Sequence, residues 1–127
     1  MTLIFCVDES GGMLFCGKRQ SRDRILNDYI QTLAGESPLW VTPYTAKLFP
    51  WGKPLSHCNG AGYYLVEDGA YDLDTAEAII LCHWNRRYPG DVFLDLSAIK
   101  AAFRKEKTEE LAGSSHEKIT VETYRRK

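Results

Sequence analysis

The stretch Ile79 to Phe93, IILCHWNRRYPGDVF, decides the fold. Ile79, Ile80, Leu81 and Cys82 make an unbroken apolar run of β-favouring residues, closed downstream by Pro89-Gly90. A continuous run predicts a strand buried on both faces, the habit of parallel sheets covered by helices.

Working outward, Leu3 to Val7 (LIFCV) reads as a second such strand, ending in the Asp8-Glu9-Ser10-Gly11-Gly12 turn. Met13 to Phe15 is a brief apolar piece, and Gly17 to Gln20 reads as a loop. Ser21 to Ala34 predicts a helix. Ser21 suits its N-cap, and Asp23 suits its first turn. Ile25, Leu26, Tyr29, Ile30 and Leu33 recur on one face, and Gly35 stops it.

Leu39 to Val41 and Tyr63 to Val66 predict further strands. Between them lie a turn with a short helix (Thr42 to Phe49) and a Pro- and Gly-rich loop (Pro50 to Gly62). Asp74 to Ala78 is at most one helical turn. Val92 to Leu96 reads as a strand, and Ala101 to Leu111 fits helix or edge strand equally. Lys118 to Tyr124 alternates as a half-buried strand and is expected to present an exposed sheet edge, a route to self-association. The order implies one domain, residues 1 to 127. It is an α/β fold with a mixed, mainly parallel sheet, few helices and a C-terminal antiparallel hairpin.

The chain has 127 residues, 44% hydrophobic and 26% charged, with net charge −1. That composition suits a globular domain and gives no field toward nucleic acid or an anionic membrane. No apolar run reaches the ~18 residues that span a bilayer. The start, Met1-Thr2-Leu3, lacks a signal-peptide pattern, so a cytoplasmic location is expected. Cys6, Cys16, Cys58 and Cys82 form no C-x-x-C, and His57, His83 and His116 are isolated, so no metal site is expected.

Several residues read two ways. Asp23 is a proton donor to a bound heterocycle or an acid that suits the helix dipole. Glu67, Asp68, Asp72 and Asp74 are a cation site or a solvated turn. Asn85-Arg86-Arg87, beside Trp84 and Tyr88, grips an anion or closes a sheet end; adjacent strand residues face opposite ways, which favours the latter. Arg125-Arg126-Lys127 reads as a solvated tail.

Four stretches together resemble dihydrofolate reductase. VDESGGMLFCGK (Val7 to Lys18) is similar to that family's first strand and loop, AVDxNNGIGxxGK. Asp23 and its helix fall where the family carries its single active-site carboxylate. LCHWNRRYPGDVF (Leu81 to Phe93) is similar to the LTHI…xGDxxFP strand and turn. SSHEKITVETYRR (Ser114 to Arg126) resembles the closing hairpin. The resemblance implies that Asp23 is the catalytic residue and that Val7, Asp8, Leu26, Thr45 and Cys82 line the ligand cleft.

The departures are specific. The W-x-L-P-x-D signature is missing before Asp23. G-R-x-T-W is here Thr42-Pro43-Tyr44-Thr45-Ala46, where only Thr45 fits. The glycine pair that approaches a pyrophosphate is here Glu67-Asp68-Gly69-Ala70, and two carboxylates there would repel it. The threonine that supports the catalytic carboxylate falls on Cys82, a weaker hydrogen-bonding group. The expectation is therefore a binding module for a small molecule or protein on a reductase-like frame, with no nucleic acid or membrane partner. The alternative is an NAD(P)H-dependent reductase of a pterin-like heterocycle with Asp23 as proton donor, the only case that requires NADPH.

Overall fold

The computed structural model describes all residues from 1 to 127. Strand β1 (Thr2–Val7) lies at the centre of a seven-stranded sheet. On one side it pairs in parallel with β6 (Tyr63–Val66), which pairs with β4 (Leu39–Val41) and that with β5 (Lys53–Pro54). On the other it pairs in parallel with β7 (Ala78–His83). Antiparallel β10 (Ile119–Arg126) and β9 (Phe103–Leu111) complete that side. A second, three-stranded sheet joins β2 (Gly12–Phe15) to β3 (Lys18–Arg19) and β8 (Val92–Phe93).

The reason for the unbroken apolar runs is visible in the register. Leu3 lies beside Ile79, Ile4 beside Ile80, Phe5 beside Leu81 and Cys6 beside Cys82. Side chains alternate across a strand. Leu3, Phe5, Val7, Ile79 and Leu81 therefore enter one core, with Ile99 of α3 (Leu96–Ala102) and Phe103. Ile4, Ile80 and Cys82 enter the other, under Leu26 and Ile30 of α1 (Arg24–Ala34). Burying each large side chain contributes about 1.5–3 kcal/mol.

Several expectations change. The N-cap of α1 is Asp23, not Ser21: its carboxylate accepts from the backbone N–H of Ile25 and Leu26. Gly35 ends the helix with φ of 56°, a backbone shape that glycine adopts without strain. Residues 103–111 are strand, and the helix lies just before them, where Asp95 caps α3 through the Ala98 N–H. Val92 to Leu96 is strand only at Val92–Phe93. The stretch from Pro50 to Gly62 contains β5 and a 3₁₀ turn at Leu55–His57, and Asp74 belongs to a second 3₁₀ turn, Leu73–Thr75. Thr42 caps the short helix α2 (Pro43–Ala46).

Lys118 to Tyr124 is not a free edge. Strand β10 is paired on both sides, and β9 is the outermost strand. Nor is Arg126 a loose tail residue. It donates to the Ala76 carbonyl, and its guanidinium lies 4.6 Å above the Phe103 ring. Chain order alone does not reveal that the hairpin tucks its second strand inward.

Because Leu81 is wholly enclosed between β1 and β10, Leu81→Ala should lower stability by about 2–5 kcal/mol. Urea denaturation measures it; a loss under 1 kcal/mol would contradict this placement.

Candidate functional site

The carboxyl ends of β1, β6 and β7 open toward α1, as in other open α/β sheets where ligands collect. Three polar groups occupy this end of the molecule. The first is centred on Asp8, which is buried where β1 ends. Its carboxylate accepts from the N–H of Ser10 at 2.9 Å, Gly12 at 2.8 Å and Tyr88 at 3.0 Å. Asp8 thereby fixes the turn that follows β1 against the segment that follows β7.

The second group closes the crevice. The Arg19 guanidinium donates twice to Glu67, at 2.8 and 2.9 Å, and lies 4.2 Å above the Tyr44 ring. The Thr45 hydroxyl donates to the same carboxylate at 2.6 Å. What remains of the crevice is a cavity of about 20 Å³, bordered by Leu26, Arg19 and Glu67 among others. A neighbouring one is about 10 Å³. Each has room for about one water, whereas ligand sites run to about 300–1,000 Å³.

The third group joins Asp23, which the sequence singles out, to a partner that the sequence does not mark. Asp23 and His116 stand 93 residues apart and meet at 3.0 Å, with side-chain exposures of 0% and 2%. The turn between β9 and β10 delivers His116. Its Ser114 and Ser115 N–H groups donate to the Asp23 carboxylate at 3.0 and 2.9 Å. Gly113 permits this approach: a Cβ there would lie 2.6 Å from the Asp23 carboxylate. The imidazole stacks on Trp84, with ring centres 4.7 Å apart. Its Nε2 lies 3.1 Å from the Ser21 hydroxyl and 3.0 Å from that of Tyr88.

Burial pushes the Asp23 carboxyl upward. The Ser114 N–H, the His116 side chain and the N–H groups of Ser115 and Ile25 outweigh it and hold the group well below the usual carboxylate range. It is an ionised, fully solvated-by-protein carboxylate.

The other cleft residues of the resemblance are dispersed. Val7 faces the core opposite α1. Leu26 faces the crevice remnant, and Thr45 is committed to Glu67. Cys82 is buried beside Cys6; that contact and burial push the Cys6 thiol well above its ordinary value. These side chains do not surround a common space. Nor do the residues at the expected pyrophosphate position fit that group, because Glu67 already takes the Thr45 hydroxyl. Arg86 and Arg87 are exposed and lie beyond β7, past Asn85 with φ of 59°. No three His, Cys, Asp or Glu side chains converge as a metal site would require.

A wider space lies elsewhere. A groove of about 620 Å³ sits at the carboxyl ends of β4 and β5, lined by Val41, Thr42, Ala46, Pro54 and Leu55 among others. One wall, Thr42, Pro43 and Ala46, belongs to the stretch set against G-R-x-T-W; the other, from Gly52 to Ser56, comes from the Pro- and Gly-rich region that no motif marks.

No protein-family model matches the chain, and no curated protein is similar to it. Among solved structures it is similar to dihydrofolate reductase from Enterococcus faecalis complexed with NADP(H) and RAB-propyl. The two share 14% sequence identity with a TM-score of 0.68, over 98% of this chain and 95% of the other. The chain therefore has the dihydrofolate reductase-like α/β fold. No helix is long and apolar enough to cross a membrane.

Asp23→Asn should cost about 3 kcal/mol, since it leaves donors aimed at a neutral amide in a closed site. A carboxyl held down by folding adds stability that is complete above its unfolded value, about 4, and is lost as pH falls below that. Denaturation between pH 6 and 2 should accordingly show a shallower acid loss in the variant; parallel curves would contradict the assignment.

Proposed function

We propose that this chain is a binding module on a dihydrofolate reductase-like frame, and that it does not carry out a nicotinamide-dependent reduction. One observation carries the reading: the crevice expected to hold the reacting heterocycle is reduced to about 20 Å³ beside the Arg19–Glu67 pair. A proton donor also needs a pKa near working pH and a substrate within reach. The Asp23 carboxyl is held far below that and is surrounded by protein donors.

The ligand goes instead to the groove at the ends of β4 and β5. Its lining is mainly apolar, with Thr42 and Ser56 as its two hydroxyl-bearing residues. A largely apolar wall with few polar groups selects a small, flat or aliphatic molecule and orients it by one or two hydrogen bonds.

NADPH and folate, each at saturating concentration, should leave the melting temperature unchanged. A ligand at 100 times its dissociation constant would add about 2.7 kcal/mol, so a clear upward shift with either refutes the proposal. An apolar fluorescent probe such as anilinonaphthalene sulfonate should bind the native protein, and Ala46→Arg, which projects into the groove, should abolish that signal.

A further inference from the structure

We propose that Ser21, His116 and Asp23 form a nucleophilic relay that makes the Ser21 hydroxyl reactive toward short-chain activated esters. This goes beyond ligand binding in the groove and does not depend on it. The argument begins with protons. Asp23 is an ionised carboxylate and only accepts, so the His116 Nδ1, 3.0 Å away, carries a hydrogen. In the neutral ring Nε2 is then an acceptor. The Tyr88 hydroxyl donates to Ser21 Oγ at 3.4 Å, which turns the Ser21 hydroxyl toward Nε2 at 3.1 Å. The Tyr88 hydroxyl also lies 3.0 Å from Nε2, so it and Ser21 share that acceptor, and the relay uses the arrangement in which Tyr88 donates to Ser21 and Ser21 donates to Nε2.

This arrangement meets the geometric signature of an activated serine: the nucleophile within hydrogen-bond reach of a base, and the base oriented by a third group. The base is held on both counts. Trp84 stacks against its ring, and the Asp23 carboxylate is itself fixed by backbone N–H groups. Ser21 alone is half-buried; it precedes α1 and borders both remnants of the crevice. The cavities beside it, of about 20 and 10 Å³, each hold about one water, so an ester reaches the Ser21 hydroxyl from its solvent-facing side.

In the step proposed, Ser21 Oγ bonds to the ester carbonyl carbon while its proton passes to His116 Nε2. The carbon–oxygen bond to the leaving alcohol breaks, and the alcohol takes that proton. A water then gives one proton to Nε2 as its oxygen bonds to the acyl carbon; the bond from that carbon to Ser21 Oγ breaks, Oγ takes the proton back from Nε2, and the acid leaves. The sum is ester plus water to acid plus alcohol. Asp23 is a positioning residue here.

The test is labelling of the full chain with a fluorophosphonate, followed by intact-mass and peptide mass spectrometry, alongside release of 4-nitrophenol from its acetate. One adduct on Ser21 is expected. Ser21→Ala should lose the adduct and the hydrolysis. His116→Gln should slow labelling on the order of 100-fold or more, as for loss of a general base. A third variant keeps the test decisive if His116→Gln fails to fold. In Ser21→Cys, the thiol beside the imidazole should alkylate at pH 6 about tenfold faster than the exposed Cys16 of the same chain. No labelling above that of Ser21→Ala, labelling independent of His116, or a thiol no faster than Cys16 would each overturn the relay.

Discussion

An ionised carboxylate removed from water must find its hydration in the protein, and the way Asp23 does so organises one whole end of this molecule. Four backbone N–H groups and an imidazole aim at it. Two of those donors belong to its own helix. The others lie on the hairpin turn that closes the sheet. A single charge therefore sets where α1 begins and where the turn from β9 to β10 must lie. The cost of an unmet buried charge is several kcal/mol, so neither element can shift alone. Trp84 and Tyr88 meet His116, and through them the segment after β7 is fixed to the same point.

A second, half-buried pair acts at the mouth of the sheet. Arg19 comes from the short three-stranded sheet, Glu67 from the end of β6, and Thr45 from α2. An open crevice with the same residues would leave a half-buried cation and anion facing each other across water. The pair instead draws three elements together, and the sheet mouth is filled by the chain's own groups.

The frame was readable because its signal is local and strong. The runs at Leu3 to Val7 and Ile79 to Cys82 have no polar alternation, which only a doubly covered sheet explains. Asp23 was legible as an acid at a helix start. His116 was not legible, since an isolated histidine in a Ser-rich turn carries no periodicity and its partner is remote in sequence. The β9 strand was ambiguous for a similar reason. Its Lys and Glu residues favour helix by propensity, and pairing with β10 overrides that preference. Leu96 to Ala102 was obscured by its neighbour: the apolar Val92, Phe93 and Leu94 just before it suggested that a strand continued.

The distance in sequence between Asp23 and its turn also bears on how the chain acquires its shape during synthesis. Helix α1 has its own two N–H donors as soon as it forms, but the partners at Ser114 and Ser115 emerge about seven-tenths of a chain later. Strand β7 likewise waits for β10 before its outer side is covered. Until the last segment arrives, a charged group and an apolar strand flank remain exposed together. Such non-local closure is slow, and it makes the docking of the Ser114-Ser115 turn and β10 the step that completes both the buried carboxylate site and the cover over β7.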